Sequence, residues 1–340
     1  MLSFKICARR VWKEIDRSKN ILLHLHPSPD GDSVGSSLAM YHALNKLGKN
    51  ITLIQGDTPL PQNLLHLPGV NKITPKNITQ IDLSKFDLFL ILDSSSINQV
   101  TKLADFKLPK NFKTIVIDHH QSNQKFGKIN MVIPTSPATA QVVYDLLTYR
   151  KIKITPQIAA CLFVGIFTDT GGFKYFNTTH KTLLIAANLT KIYPKFTQLI
   201  FNIENSDHPD RLKFISLMIS SIKTFYSDHV AIASISYDQI LANNLNLDVI
   251  GGYSELANMI KSVTGWDIAV TLVELQPKIV KVSLRTRNSD LYDLSKIAVA
   301  TKSGGGHKPA AGATLSMSLE KSQDLILSII KKLYPKIDTI

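Results

Sequence analysis

The sequence of 340 residues contains only two cysteines and no long apolar run. Two thiols are too few for a disulfide framework or for a metal site built from thiolates. The longest apolar segments, such as Leu88–Leu92 and Cys161–Phe167, are far shorter than the roughly 20 residues of a transmembrane helix. A secretory signal is not apparent, because charged residues follow Arg9 and Arg10 where its apolar core would begin. These absences predict a soluble, cytoplasmic protein with no membrane association.

Acidic residues are also few relative to basic ones. The chain has 26 Asp and Glu against 39 Lys and Arg, a net charge of +13, which favours an anionic partner such as nucleic acid. The lysines are scattered, and a general enrichment in lysine would explain the surplus equally well. Hydrophobic residues at 44% and charged residues at 19% exclude a disordered chain and a coiled coil. The charge alone therefore does not assign a partner.

The length suggests two domains at roughly 150 residues each. In the first half, short apolar runs alternate with amphipathic stretches, which is typical of a mostly parallel sheet with helices on both faces. A polar stretch at Glu204–Asp210 interrupts a mostly helical region that runs from Lys181 to Phe225. The alternation of strands and helices then begins again. We predict an α/β fold with a larger domain at residues 1–205, which includes connector helices, and a smaller α/β domain at residues 206–340.

The predicted elements follow from these patterns. In the first domain the strands are Ile21–His26, Ile51–Ile54, Asp87–Leu92 and Lys113–Ile117, and the helices are Val34–Leu47, Ala138–Leu147 and Pro156–Thr168. In the second domain the strands are His229–Ile235, Asp267–Glu274 and Ile279–Arg285, and the helices are Tyr253–Val263, Leu291–Ala300 and Leu325–Leu333. The glycine cluster Gly304–Gly306 is predicted to be a loop.

Acids and histidines follow three of the predicted strands directly. The turn His26–Asp32 comes after the first strand, Asp93 ends the third, and Asp118–His120 ends the fourth. Because the carboxyl ends of parallel strands line one crevice, we expect these side chains to converge. A fourth acid, Asp169, ends an apolar helix just before two glycines, where the helix dipole disfavours a carboxylate. An acid at that position suggests a compensating cation.

Carboxylates and imidazoles without thiolates suit Mn²⁺ or Mg²⁺ before zinc. Four aspartates balance two divalent ions in formal charge, and two histidines complete the set. The candidate ligands are His26, Asp30, Asp32, Asp93, His119 and Asp169. Two ions about 3.5–4 Å apart can bind a phosphoryl oxygen and activate a bridging water. The constellation therefore predicts hydrolysis of phosphate esters.

Each motif also has a purely structural explanation when it is taken alone. Asp32 or Asp93 could cap a helix, Asp118–His120 could be an ordinary turn, and Asp169 could be a loop acid. It is the occurrence of all four together that favours a functional site. His24, inside the first strand, is more typical of a packed histidine, or of one that supports a ligand, than of a ligand itself.

The four motifs resemble those of the DHH phosphoesterase superfamily. The segment Gly304–Ala313, with the sequence GGGHKPAAGA, resembles the signature of its DHHA1 substrate domain. The motifs occur in the expected order, and the two halves cover nearly the whole chain. Within the superfamily, the chain is most similar to stand-alone oligoribonucleases (nanoRNases) that also act on pAp, adenosine 3′,5′-bisphosphate. The resemblance implies a DHH catalytic domain at residues 1–205 and a DHHA1 substrate-binding domain at residues 206–340.

The resemblance also implies a role for each matched residue. One Mn²⁺ would be held by His26, Asp30 and Asp93, and the other by Asp32, Asp93, His119 and Asp169, with Mg²⁺ as an alternative ion. Asp118 would orient a neighbouring histidine, and His120 would contact the scissile phosphate and help protonate the leaving oxygen. The residues implied to bind the non-scissile phosphate and sugar are Arg285, Gly304, Gly305, Gly306 and His307.

The residue types in the second domain agree with phosphate binding. Consecutive glycines let backbone N–H groups approach an anion, and Arg285 can donate two parallel hydrogen bonds to it. A flexible hinge is the structural alternative for the glycines, and a solvated strand edge is the alternative for Arg285. Arg287 lies two residues further along, on the same predicted face. Which of the two arginines binds the phosphate is therefore open.

The resulting prediction is a manganese-dependent phosphoesterase. It would release 5′-mononucleotides from short RNA and remove the 3′-phosphate of pAp, with metals and phosphate anchors on opposite walls of a cleft between the domains. One alternative is a soluble phosphodiesterase for cyclic di-AMP or its linear dinucleotide. Another is an RNA-binding module that has lost catalysis, which the intact ligand set disfavours. A homodimer is compatible with the group.

Overall fold

The computed structural model describes residues 4–250 and 253–339. The chain divides into two compact units, Met1–Ser206 and Asp207–Ile340. Both are α/β units, as predicted. In the part of the chain that is described, no helix is both long enough and apolar enough to cross a membrane.

Six parallel strands form the sheet of the first unit. They are β1 (Asn20–His24), β2 (Asn50–Ile54), β3 (Ile73–Thr74), β4 (Leu88–Leu92), β5 (Thr114–Asp118) and β6 (Ile129–Val132). Their order across the sheet is β3-β2-β1-β4-β5-β6, and every neighbouring pair is parallel. The chain therefore builds outward from β1 on one side and then returns to place β4 on the other side. Ligands of open α/β sheets bind at such a reversal, beyond the carboxyl ends of the strands.

The helices of this unit pack on one face of the sheet. They are α1 (Phe4–Arg17), α2 (Gly31–Lys46), α3 (Thr139–Tyr149), α4 (Pro156–Asp169), α5 (His180–Ile192) and α6 (Phe196–Glu204). Their apolar residues share one core with Ile21 and Leu23 of β1, whereas Leu22 packs with residues of the opposite face. That face is covered by irregular segments with short 3₁₀ turns. Helices therefore flank the sheet as predicted, with the α-helices on one face and short 3₁₀ helices on the other.

Helices α2 and α4 approach until their backbones touch. A Cβ atom on Gly35 would lie 2.4 Å from the carbonyl oxygen of Cys161, and one on Gly165 would lie 2.8 Å from Oδ1 of Asp32. A Cβ atom on Gly31 would lie 2.4 Å from Oγ1 of Thr168. Glycine at these positions lets the first turn of α2 lie beside the last turn of α4.

The second unit contains a mixed sheet. Its strands are β7 (Lys223–Phe225), β8 (Val230–Ile235), β9 (Ile268–Gln276), β10 (Ile279–Thr286), β11 (Gly304–His307) and β12 (Ala310–Leu315). The order is β11-β12-β10-β9-β8-β7, in which β8 and β9 run parallel and the other neighbouring pairs are antiparallel. The helices described in this unit are α7 (Pro209–Ser220), α8 (Tyr237–Ala242), α9 (Leu247–Ile250), α10 (Tyr253–Lys261), α11 (Leu294–Ala300) and α12 (Leu319–Leu333).

Two expectations for this unit were wrong in detail. The segment Gly304–Gly306 is not a loop but part of the edge strand β11, in which Gly305 pairs with Gly312 of β12. Strand β12 was not predicted, because its alanines and glycine have low strand propensity. The region from Lys181 to Phe225 is mostly helical, as predicted, and ends in the short strand β7.

The close contact between α2 and α4 predicts an unusual response to alanine. Replacing glycine with alanine inside a helix normally stabilises it by about 1 kcal/mol. Gly35→Ala is instead expected to lower the free energy of unfolding by about 1–3 kcal/mol, because its Cβ atom would overlap α4. Urea denaturation measures the change. The exposed Asn45→Ala, on the same helix, is the control and is expected to be neutral or slightly stabilising. A Gly35→Ala protein as stable as the parent would contradict the packing.

Candidate active site

The turn after β1 is fixed by hydrogen bonds to the start of α2. Asp30 is the N-cap of α2, and its Oδ1 accepts from the backbone N–H groups of Asp32 at 3.0 Å and Ser33 at 2.9 Å. The N–H of His26 donates to the hydroxyl of Ser33 at 3.3 Å. The carboxylate that caps α2 is thus Asp30, which leaves Asp32 for another partner.

Asp32 is fully buried and joins α2 to α3. Its Oδ2 accepts from the N–H of Thr139 at 2.6 Å, and its Oδ1 accepts from the N–H of Ala140 at 2.8 Å. The positive end of the α3 dipole therefore faces this carboxylate. Asp169 is the last residue of α4, and its Oδ2 lies 3.2 Å from Nε2 of His119.

Asp93 occupies the centre of the site in a strained backbone conformation. It follows β4 with a φ of 52°, in the left-handed region that side chains other than glycine rarely adopt. Its N–H donates to the carbonyl of Ile117, and its Oδ1 accepts from the hydroxyl of Thr139 at 2.9 Å. Strain of this kind, of order 1–3 kcal/mol, is concentrated at functional sites.

The other five predicted ligands lie around Asp93. Its Oδ2 lies 3.5 Å from Nε2 of His26, and its Oδ1 lies 3.7 Å from Nε2 of His119. Among the residues that the structure describes, ligand atoms within 4.8 Å of one another form three groups that could hold a metal ion. These groups are His26, Asp30 and Asp93; Asp32, His119 and Asp169; and Asp93, His119 and His120.

Both histidines of the predicted ligand set present Nε2 to the carboxylates. Nδ1 of His26 lies 3.0 Å from the carbonyl oxygen of Pro27, and Nδ1 of His119 lies 3.3 Å from that of Ser136. A carbonyl accepts only from a protonated Nδ1, so in the neutral form of each ring, which is the form that binds a metal, the lone pair is on Nε2. Metal-binding histidines are commonly oriented in this way.

The charge balance of the cluster also fits a cation. Burial opposes protonation of His26, yet the carboxylates of Asp30 and Asp93 raise its pKa to about 11. Burial likewise opposes protonation of His119, and Asp169 and Asp93 raise its pKa to about 9. Burial and the neighbouring acids raise the pKa of Asp32 well above its usual value. The cluster thus binds protons tightly because backbone N–H groups compensate its negative charge only in part, and divalent ions would complete that compensation.

His120 is held by a separate acid. Its Nδ1 lies 2.8 Å from Oδ1 of Asp118, and Nδ2 of Asn123 donates to the other oxygen of Asp118 at 2.6 Å. Although burial favours the protonated acid, these contacts lower the pKa of Asp118. The half-exposed His120 therefore keeps Nε2 available for a ligand.

Two residues that support the site were missed by the sequence reasoning. Thr139 contacts both Asp93 and Asp32, and Asn123 joins Asp118 to the carbonyl of Ser94. The start of a helix after residue 138 was the available signal for Thr139, whereas nothing in the sequence marked Asn123. His24 is fully buried against Phe89, and burial lowers its pKa to about 4.

Three of the predicted phosphate anchors, Arg285, Gly305 and His307, share one face of the sheet of the second unit. Strand pairing places Arg285 beside Ala310 and His307, and Ser283 beside Gly312 and Gly305. Lys281 and Thr314 form the next row along this face. Residues of the three strands line a depression of about 620 Å³. Arg285 and Lys281 lie at its two ends, with small residues between them. The face therefore combines positive charge with a floor that a ligand can approach closely.

Sterics explain two of the three consecutive glycines. A Cβ atom on Gly304 would lie 2.5 Å from the carbonyl oxygen of Gly312, and one on Gly306 would lie 2.6 Å from Cα of Ala311. A Cβ atom on Gly305 would meet open space, and the backbone of Gly305 is not left-handed. Neither packing nor conformation requires glycine at position 305.

Arg287 does not share the face of Arg285. It lies beyond the end of β10 and donates to the carbonyl of Val263 at 2.6 Å. The expectation that both arginines lie on one strand face was wrong, because the strand ends at Thr286. Among the two, Arg285 is the one that lines the depression.

The first unit has a parallel sheet with buried acids where the strand order reverses, and the second unit has a glycine-rich mixed sheet. Together these units define a two-domain phosphoesterase of the DHH type. The model of the DHH family, N-terminal domain, matches residues 20–166, and the model of the DHHA1 domain matches residues 237–334. The chain belongs to the DHH family.

Several relatives are similar over most of their length. A protein of Thermus thermophilus named bifunctional oligoribonuclease and PAP phosphatase NrnA is 30% identical over 92% of this chain and 89% of its own. The protein of the same name in Bacillus subtilis is 24% identical over 87% of this chain and 89% of its own. The fold is shared with an exopolyphosphatase-related protein of Bacteroides fragilis, with a TM-score of 0.87, 23% identity and 98% coverage of each chain. RecJ of Thermus thermophilus, solved in complex with Mn²⁺, has a TM-score of 0.56 at 13% identity, over 98% of this chain and 55% of its own.

Removing one negative charge from the cluster is expected to weaken cation binding without lowering the stability of the folded protein. Asp169→Asn keeps the shape of the side chain but relieves repulsion, so in chelator its melting temperature should equal or exceed that of the parent by a few degrees. Added MnCl₂ should raise the melting temperature of the parent, since ions that bind only the folded state stabilise it, and should raise that of the variant far less.

Asp145→Asn is the matched control. Burial raises the pKa of Asp145 as well, but this acid pairs with Lys181 outside the cluster. Its variant should lose some stability and keep the full response to MnCl₂. An Asp169→Asn protein that keeps the response of the parent would show that Asp169 is not part of the cation site.

Proposed function

We propose that this protein is a Mn²⁺-dependent phosphoesterase that hydrolyses short oligoribonucleotides to 5′-mononucleotides and removes the 3′-phosphate of pAp. The observation that carries the proposal is the grouping of five potential ligands around the buried Asp93, itself a sixth, with His120 beside them. The names of the relatives from Thermus thermophilus and Bacillus subtilis support the substrate class.

The acids and histidines divide into two ligand sets that share Asp93. The first ion would be held by His26, Asp30 and Asp93, and the second by Asp32, Asp93, His119 and Asp169. Mg²⁺ is the alternative ion for the same two ligand sets. Bound together, such ions activate a water molecule and neutralise charge on the phosphoryl group. Oxygen and imidazole donors without a thiolate favour Mn²⁺ and Mg²⁺ over zinc.

His120 would act on the phosphate directly. Asp118 fixes the ring through Nδ1, so Nε2 can reach a phosphate oxygen or donate a proton to the leaving oxygen. Asn123 holds Asp118 in turn, which prevents that acid from turning toward the ligand cluster. Asp118 and Asn123 are thus positioning residues for His120.

The second unit would bind another phosphate of the substrate, together with its sugar. Arg285 can form two parallel hydrogen bonds to a phosphate, and His307 lies in the same cross-strand row. Glycine at position 305, which neither packing nor conformation explains, would let the phosphate or sugar approach the strand, and Gly304 and Gly306 keep β11 close to β12.

A substrate panel tests the proposed function. Purified protein with Mn²⁺ is incubated with a 5′-phosphorylated RNA trinucleotide, pAp and cyclic di-AMP, and products are separated by ion-exchange chromatography. We expect rapid release of 5′-mononucleotides and of phosphate from pAp, both abolished by chelator. Preferred cleavage of cyclic di-AMP or its linear product would identify a cyclic-dinucleotide enzyme instead. Tight RNA binding without any turnover would identify a binding module.

Asp93→Asn tests the centre of the site without disturbing the backbone. Asparagine tolerates the left-handed conformation, so the protein should fold normally, yet turnover should fall by at least about 10³-fold because both ligand sets lose a charge. Asp105→Asn is the matched control, since Asp105 also has a positive φ, of 60°, but is exposed. Asp93→Ala should be equally inactive. Retained activity in either Asp93 variant would refute its shared role.

Variants of the second unit should affect substrate binding more than chemistry. Arg285→Gln is expected to raise KM for pAp by about 10-fold or more, the usual effect of losing a hydrogen bond between charged groups. Gly305→Ala should do the same in a protein of unchanged stability, because the added methyl group meets open space. Arg287→Gln is the control for charge and should leave KM within about 2-fold. A larger effect at Arg287 than at Arg285 would reverse the assignment.

A further inference from the structure

A fully exposed phenylalanine lies on the loop that follows Asp169. The loop joins α4 to α5, and the relative exposure of Phe176 is 110%, the highest of any large hydrophobic residue in the described part of the chain. Burying a phenylalanine side chain usually stabilises a protein, because apolar surface is removed from water. This ring is kept in water instead.

The exposure of Phe176 is not that of an unstructured loop tip. The N–H of Tyr175 donates to the carbonyl of Thr170 at 3.0 Å, and the N–H of Thr178 donates to the carbonyl of Tyr175 at 3.0 Å. Phe173 turns inward and packs edge-on against Phe167, with ring centroids 5.8 Å apart. The residues on both sides of Phe176 are therefore anchored, while its own ring is left free.

The loop is attached directly to the acidic cluster. Nδ2 of Asn177 donates to the carbonyl of Asp169 at 3.1 Å and lies 3.3 Å from the carbonyl of Pro137. Pro137 stands two residues before Thr139, which contacts Asp93 and Asp32. Consecutive Cα atoms are about 3.8 Å apart, so the Cα atom of Phe176 lies one residue step from Asn177, whose side chain holds the loop at the carbonyl of Asp169.

We propose that Phe176 is a stacking platform for a nucleobase of the substrate, and this rests on the proposed function. A phosphate among the carboxylates must leave its base at the rim, where an exposed ring held by an ordered loop can stack on it. Stacking on an aromatic side chain accepts any base, which suits an enzyme for short RNA of mixed sequence. The exposed Lys174, two residues earlier, adds positive charge for a neighbouring phosphate.

Kinetics with three variants test the stacking. Phe176→Ala and Phe176→Leu should each raise KM for a 5′-phosphorylated RNA trinucleotide by about 10-fold, within the range measured for loss of one stacked base, and change kcat little. Phe176→Trp should restore the parental KM to within about 3-fold. A trinucleotide with abasic sugars should bind parent and Phe176→Ala equally. Phe201→Ala, at an exposed phenylalanine on α6, is the control and should change nothing.

A fluorescence measurement separates this proposal from the proposed function. In Phe176→Trp, the new indole should be quenched by RNA trinucleotide and not by its abasic analogue, whether or not the RNA is cleaved. Quenching without cleavage would support the platform and refute the enzyme; cleavage without quenching, or an unchanged KM in Phe176→Ala, would overturn the platform. If the parent self-associates, Phe176→Ala does not, and KM is the same in both, the ring instead contacts a second copy of the chain.

Discussion

Repulsion among buried carboxylates around Asp93 is the constraint on which the first unit depends. Asp32 and Asp93 are almost inaccessible to water, and Asp30 and Asp169 face the same point. Such a cluster is unfavourable unless positive charge offsets it. Partial compensation comes from the N-termini of α2 and α3, whose N–H groups bond to Asp30 and Asp32, and from two protonated histidines. Divalent ions would complete the compensation, and the cluster of mutually repelling carboxylates would then be able to bind a phosphate.

Backbone features bring the acids together. The left-handed conformation of Asp93 redirects the side chain at the end of β4, and the contact of α2 with α4 through Gly35 and Gly165 places Asp32 near Asp169. Small residues are equally important in the second unit, because those of β11 and β12 line the depression beside Arg285. In both units glycine allows a close approach of two elements, and charged side chains lie beside that contact.

The sequence alone predicted the four central strands of the parallel sheet and the side chains that lie close together around Asp93, but not the edge strands β3 and β6. Alternation of apolar strands with helices, and acids directly after three strands, require no tertiary information. Strand β12 and the strand character of Gly304–His307 were missed, because glycine and alanine carry no strand signal without their partners. Helix α1 was missed although Val11 and Ile15 have helical spacing, because the arginines obscured the pattern. Asn123 and Thr139 act through contacts between distant elements, which no local pattern encodes.

The most direct test of the metal-centred account is a crystal structure of the protein grown with Mn²⁺, with the ions located by anomalous scattering. The account predicts two Mn²⁺ positions about 3.5–4 Å apart, both in contact with Asp93, one also near His26 and the other near His119. A single ion, or ions that bind away from Asp93, would contradict it.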